Sequence, residues 1–160
     1  MRHTLAEQIF SALKKEKLTL VCAESCTAGL ISDTLAAIPG ISSVFWGSFV
    51  CYQNAAKEKM LGIDPLLIQR FGPVSQEIAE AMSAGALEHS SANIALAITG
   101  IAGPDSDEFG TPVGTVWISF ARHNLSPISH KYQFQGDRQE IRSKGAMEAL
   151  KFLLQNIEGR

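Results

Sequence analysis

Thr19-Leu20-Val21-Cys22-Ala23-Glu24-Ser25-Cys26-Thr27-Ala28-Gly29 carries a short apolar run into a cluster of small and polar residues, and Leu30-Ile31 then opens an amphipathic segment. A buried strand, a turn and a helix in that order form the repeating unit of α/β folds. A serine at such a junction has two readings. Ser25 or Thr27 caps the helix, or Ser25 is a nucleophile or anion ligand beside the first backbone N–H groups of the helix, which have no partner within it.

Outward from this stretch the same alternation continues. Leu5, Ile9, Phe10 and Leu13 lie at one-face helical spacing over residues 4–15, ahead of a strand over 18–23. The spacing predicts a helix over 27–37 that ends at Pro39-Gly40, and then a strand over 44–52 rich in aromatic and β-branched residues. Asn54 is placed to cap a short helix that carries Lys57, Asp64-Pro65 starts another, and Ser75 caps a longer one running to about residue 88. Residues 93–99 read as a strand buried on both faces, 113–121 and 128–134 as paired antiparallel strands, and 138–157 as a closing helix. Interleaved helices and strands imply an α/β fold, a three-layer α/β/α sandwich with a mixed, mostly parallel sheet. With no repeat or linker, the 160 residues read as one domain, 1–160.

Composition narrows the function classes. The formal net charge of −2, with 19% charged residues, gives no basic field for nucleic acid or for an anionic membrane. No 18-residue apolar run and no apolar leader are present, and the three cysteines lie in or beside apolar runs, so the expected setting is the reducing cytoplasm. No cluster of His, Cys, Asp or Glu has ligand spacing, so neither a metal nor a cofactor is expected. Nothing in the chain excludes a homo-oligomer.

Ligands of open α/β sheets bind beyond the carboxyl ends of the strands, and two small-residue loops fall there, Glu24 to Thr27 and Thr99-Gly100-Ile101-Ala102-Gly103-Pro104. Familiar catalytic signatures are missing at Ser25, which stands in neither a G-x-S-x-G nor an S-x-x-K, and the chain has no phosphate-binding P-loop and no H-E-x-x-H. His3, His89, His123 and His130 sit at the terminus, a helix end or the far strands, where a solvated imidazole is the simple reading. A base for Ser25 would therefore be a lysine whose pKa is lowered by its surroundings, and Lys57, following a strand end, is the candidate.

Ala23-Glu24-Ser25-Cys26-Thr27, Tyr52-x-Asn54-x-x-Lys57, Val74-Ser75, Thr99-Gly100-Ile101-Ala102-Gly103-Pro104, Pro112-Val113-Gly114-Thr115-Val116-Trp117 and Gly136-Asp137-Arg138, in this order, resemble the C-terminal domain family of the competence/damage-inducible protein CinA. The resemblance spans nearly the whole chain. It implies a stand-alone amidase that hydrolyses the carboxamide of nicotinamide mononucleotide to nicotinate mononucleotide and ammonia. It points to Ser25 and Lys57 as the catalytic pair, with Tyr52, Thr99 and an arginine of the 136–142 segment around the substrate.

On that expectation Thr99 orients Lys57 or the amide, and the N–H groups after Ser25, from Cys26 and Thr27, receive the oxyanion. The phosphate goes to Arg138 or Arg142 with the loop of Gly100, Ala102 and Gly103, Arg138 being favoured for its place at a helix start. Tyr52, and Trp46 unless it is a core residue, face the pyridinium ring. The chain departs from the family at Ala28, where glycine is usual and where alanine is benign if the backbone angle is ordinary, and at Gly47-Ser48. The alternative is a non-catalytic nucleotide-binding or competence-related regulatory module that uses the same cleft.

Overall fold

A computed structural model describes residues 1–159. Its elements are α1 (Arg2–Glu16), β1 (Leu20–Glu24), α2 (Leu30–Ala36), β2 (Phe45–Val50), α3 (Asn54–Leu61), α4 (Pro65–Phe71), α5 (Gln76–Glu88), β3 (Ile94–Gly100), β4 (Thr115–Arg122), β5 (Ile128–Gln133) and α6 (Arg138–Glu158). The five strands form one sheet in the order β2-β1-β3-β4-β5. β1 pairs parallel with both β2 and β3, whereas β4 is antiparallel to β3 and to β5. Four of the five strands thus point the same way, and only β4 is reversed.

Alternation along the central strands divides the interior. Leu20 and Cys22 of β1, with Ile94, Leu96 and Ile98 of β3, face a core built with α1, α2 and α6. Val21, Ala23, Ala95 and Ala97 face the opposite core, which α3, α4 and α5 complete through Leu61, Ile68, Ile78 and Met82. The two cores make the α/β/α sandwich that the sequence implied. The small residues on the second face let α5 lie close to the sheet.

Two expected helix starts are displaced. α2 begins at Leu30 rather than at residue 27, because Ala28 (φ +48°) and Gly29 (φ +100°) adopt left-handed angles that a right-handed helix cannot include. Neither Ser25 nor Thr27 caps it; its N-cap is Gly29. Asn54 is the first residue inside α3, with Gln53 at the cap. Elsewhere the caps fall where expected: the Asp64 side chain accepts from Leu66 N–H, and the Ser75 hydroxyl accepts from Ile78 N–H. No described helix is long and apolar enough to cross a membrane.

Candidate active site

Because β1, β2 and β3 run alike, the segments that follow them gather at one rim of the sheet. β5 shares their direction, so the start of α6 arrives there too. At that rim lies a cleft of about 240 Å³ lined by Ser25, Cys26, Tyr52, Lys57, Thr99, Gly100, Ala102, Gly103 and Arg138 among others. Thr27 and Arg142, also expected in the site, are not part of its wall. A larger hollow, about 670 Å³, lies between α1 and α6, with walls of helix residues such as Glu7, Lys15 and Glu158. Among the described residues no three His, Cys, Asp or Glu side chains gather to hold a metal.

The turn at 25–29 is held from below by Glu24. This carboxylate, fully buried at the end of β1, accepts the Thr27 hydroxyl (2.7 Å), Ile31 N–H (2.9 Å), Ser32 N–H (3.0 Å) and the Ser32 hydroxyl. It thereby does for α2 what the side chain of an N-cap residue does elsewhere, since Gly29 has none. Ser25 N–H continues the sheet ladder to Ile98 O (3.1 Å), and Ala28 N–H closes a turn on Ser25 O (3.0 Å). The N–H groups of Cys26 and Thr27 have no carbonyl or carboxylate acceptor among the described residues. Free donors beside Ser25 therefore come from the turn, and the expectation that a helix N-terminus supplies them is corrected. Gly100 is required here by close approach: a Cβ would lie 2.7 Å from Val116 Cγ2 and 3.1 Å from Cys26 Sγ.

Lys57 enters from the other side. It is the fourth residue of α3, and only 2% of it is exposed. Its Nζ lies 3.1 Å from Ser25 Oγ and 3.4 Å from Tyr52 O. No salt-bridge partner reaches it among the described residues. Burial holds its pKa below the ordinary lysine value, with nearby Cys51 and Cys26 pulling weakly the other way. Cys26, next to Ser25, does not compete as a nucleophile, because burial pushes its thiol up to about 12 and keeps it protonated.

The remaining candidates separate clearly. Thr99, 1% exposed, donates its hydroxyl to Pro73 O (2.8 Å), so its proton ties down the 72–74 turn at the rim rather than reaching Lys57. Arg138 is exposed at the start of α6 and donates to Gly103 O (2.6 Å) and to the Tyr52 hydroxyl. Arg142, one turn on, faces the 25–28 turn instead: Nε donates to Cys26 O (2.9 Å) and Nη2 to Thr27 O (3.0 Å). Trp46, 47% exposed, stacks on Phe49 (ring centroids 5.8 Å apart) and does not line the cleft, so neither a core role nor contact with a ligand there describes it. Gly47 and Ser48 are likewise outside the wall. Sequence reasoning missed Glu24 as a structural anchor, although a glutamate ending an otherwise apolar strand, three residues before a threonine, was the available signal. It also missed the rim residues Pro73 and Asp105, whereas Asn54, which opens the motif that carries Lys57, does line the cleft.

The model of the CinA C-terminal domain matches residues 2–157. The chain is 39% identical over 155 residues to the nicotinamide-nucleotide amidohydrolase PncC of Enterobacter agglomerans, covering 97% of this chain and 94% of that one. It is 40% identical to the protein of the same name from Pseudomonas putida, covering 95% and 94%. A CinA-like protein of Solibacter usitatus is 42% identical over 92% of this chain, which spans only 35% of that longer relative. Among solved structures, competence/damage-inducible protein CihA of Agrobacterium tumefaciens superposes with a TM-score of 0.92 at 37% identity over 98% of this chain and 95% of its own. A CinA superfamily protein of Klebsiella pneumoniae superposes with a TM-score of 0.96 at 28% identity, covering 100% and 99%. With the motifs of the rim in place over nearly its whole length, the chain belongs to the CinA C-terminal domain family.

Proposed function

We propose that this protein is an amidase that hydrolyses the carboxamide of nicotinamide mononucleotide, with Ser25 as nucleophile and Lys57 as its base. The observation that carries the reading is the buried lysine amine 3.1 Å from the serine hydroxyl, at the wall of the cleft and without a carboxylate to keep it charged. The names of the two near-full-length relatives supply the substrate class.

In this mechanism neutral Lys57 takes the Ser25 proton as Oγ bonds to the carboxamide carbon, and the electron pair of the C=O moves onto oxygen. The N–H of Cys26, a residue of the cleft wall, receives that oxyanion. Lys57 then returns the proton to the leaving nitrogen as the C–N bond breaks and ammonia departs. Water, deprotonated by Lys57, releases nicotinate mononucleotide and restores the Ser25 hydroxyl. Arg138, exposed at the mouth and within reach of the Gly103 loop, meets the phosphate, while Tyr52 and the exposed carboxylate of Asp105 suit a cationic ring.

Purified protein given nicotinamide mononucleotide should release ammonia, and free nicotinamide should be a far poorer substrate because the phosphate contacts align the amide. Ser25→Ala should stop release while the nucleotide still binds. Binding without ammonia from the unaltered protein would instead favour a non-catalytic module.

A further inference from the structure

Arg142 makes contacts that no substrate-binding role requires. Its guanidinium is half-buried, and three of its five N–H bonds are committed to the protein: to Cys26 O, to Thr27 O and to Gln139 Oε1 (2.7 Å). Two of these acceptors are successive carbonyls of the turn that follows the nucleophile. In a trans peptide the N–H points opposite to the C=O. The carbonyl of Cys26 shares its peptide plane with the N–H of Thr27, so the 2.9 Å bond from Arg142 Nε fixes the direction of that N–H. The neighbouring plane, Ser25 C=O with Cys26 N–H, is fixed by the bond from Ala28 N–H. Thr27 O is held twice, by Leu30 N–H (3.1 Å) and by Arg142 Nη2.

The geometry points to Arg142 as a positioning residue that holds the 25–28 turn through the Cys26 and Thr27 carbonyls, so that Ser25 and the Cys26 N–H, whose residues both line the cleft, stand ready for the reaction and its oxyanion. Arg142 thus acts on the reaction through the backbone of the turn, whereas Arg138, one turn earlier on the same helix, faces the ligand. This inference rests on Ser25 being the nucleophile.

The two roles split kinetically. Arg142→Met should lower kcat at least 30-fold while the KM for nicotinamide mononucleotide changes less than threefold, since the contacts it sets are strongest in the transition state. Arg138→Ala should raise KM. Arg142→Lys, which returns a single charged donor, should recover part of the lost kcat, and a thermal melt of each variant separates lost chemistry from lost fold.

A substrate-free readout is the rate at which a fluorophosphonate labels Ser25, followed by intact mass. Its phosphoryl oxygen uses the same donor, so Arg142→Met should be labelled at least tenfold more slowly than the unaltered protein. Should Arg142→Met fail to fold, Arg142→Lys carries both measurements, with a smaller loss of kcat and of labelling. A raised KM at unchanged kcat, or labelling as fast as in the unaltered protein, overturns the inference. If the unaltered protein is labelled at Ser25 yet releases no ammonia from the mononucleotide, the substrate assignment fails while the labelling comparison still decides the role of Arg142.

Discussion

Glu24 and Lys57 are both sealed from solvent on either side of Ser25, and their surroundings are opposite. Glu24 meets four donors, two of them backbone N–H groups at the start of α2, so the loss of water is made good bond for bond. Lys57 meets a hydroxyl at 3.1 Å and a carbonyl at 3.4 Å, with no salt-bridge partner among the described residues. One arrangement builds the turn; the other leaves an amine whose charged state burial makes more costly, which lowers its pKa. The difference teaches how a site can be rigid and reactive within a few residues: the cost of burial is offset at the structural group and left standing at the reactive one.

The largest break in this comparison comes from Lys57→Met. Turnover should fall by about 10²–10⁴-fold, the usual worth of a positioned general base, yet the variant should melt higher than the unaltered protein near pH 7. The pKa of Lys57 is lowered on folding, so between its folded value and the ordinary lysine value of about 10.4 the unfolded chain binds more protons and stability rises with pH. The advantage of methionine is therefore greatest below the folded pKa and fades as pH approaches the ordinary value. Catalytic efficiency of the unaltered protein should rise with pH along the same limb. A methionine variant that is less stable at every pH would show that the lysine is structurally satisfied after all.

Glu24→Gln should break the other half. An amide nitrogen in place of one carboxylate oxygen sets a donor against donors and orphans buried N–H or hydroxyl groups, at a cost of about 1–3 kcal/mol for each. A loss of about 3 kcal/mol would lower the melting midpoint of a chain this size by about 6–12 °C. Because Ser25 and Lys57 remain, residual turnover should exceed that of Lys57→Met. Unchanged melting would mean that the four contacts contribute nothing to holding the turn.

What the sequence disclosed follows from which interactions are periodic. The strands, the order of helices and the two cores rest on apolar spacing, and Ser75, Asp64 and Pro65 marked helix starts because their chemistry is local. The pairing of Ser25 with Lys57 was reached from the rule that ligands sit at strand ends and from the want of a histidine base, and the resemblance pointed to the same pair; the 31 residues between them carry no spacing signal. The different surroundings of Arg138 and Arg142 were legible only in that Arg138, at the helix start, was favoured for the anion; four residues apart on a helix implies one face. In the structure that face looks at the cleft with its first arginine and at the turn with its second. The late start of α2 was hidden for a similar reason: alanine at 28 gives no warning of a left-handed angle, and only the backbone geometry shows it.

That angle supports the smallest and most discriminating test of the turn. Alanine at position 28 was benign on the condition that its backbone angle is ordinary, and the angle is +48°. A left-handed residue with a Cβ costs roughly 1–2 kcal/mol, while glycine gives back about 0.4–1 kcal/mol through the larger entropy of its unfolded chain. Ala28→Gly should therefore stabilise the protein by about 0.5–1 kcal/mol, or about 1–4 °C in melting midpoint. Gly29→Ala should do the reverse: φ is +100° there, and the nearest atom to an added Cβ is Val50 Cγ2 at 4.0 Å, so the loss reports backbone strain and not a clash. The two substitutions exchange alanine and glycine at adjacent positions of one turn, and their signs must be opposite. Equal signs would mean that the turn relaxes when altered, and a turn that relaxes so readily would not hold the Cys26 N–H in register with the Ser25 hydroxyl, as the proposed reaction requires.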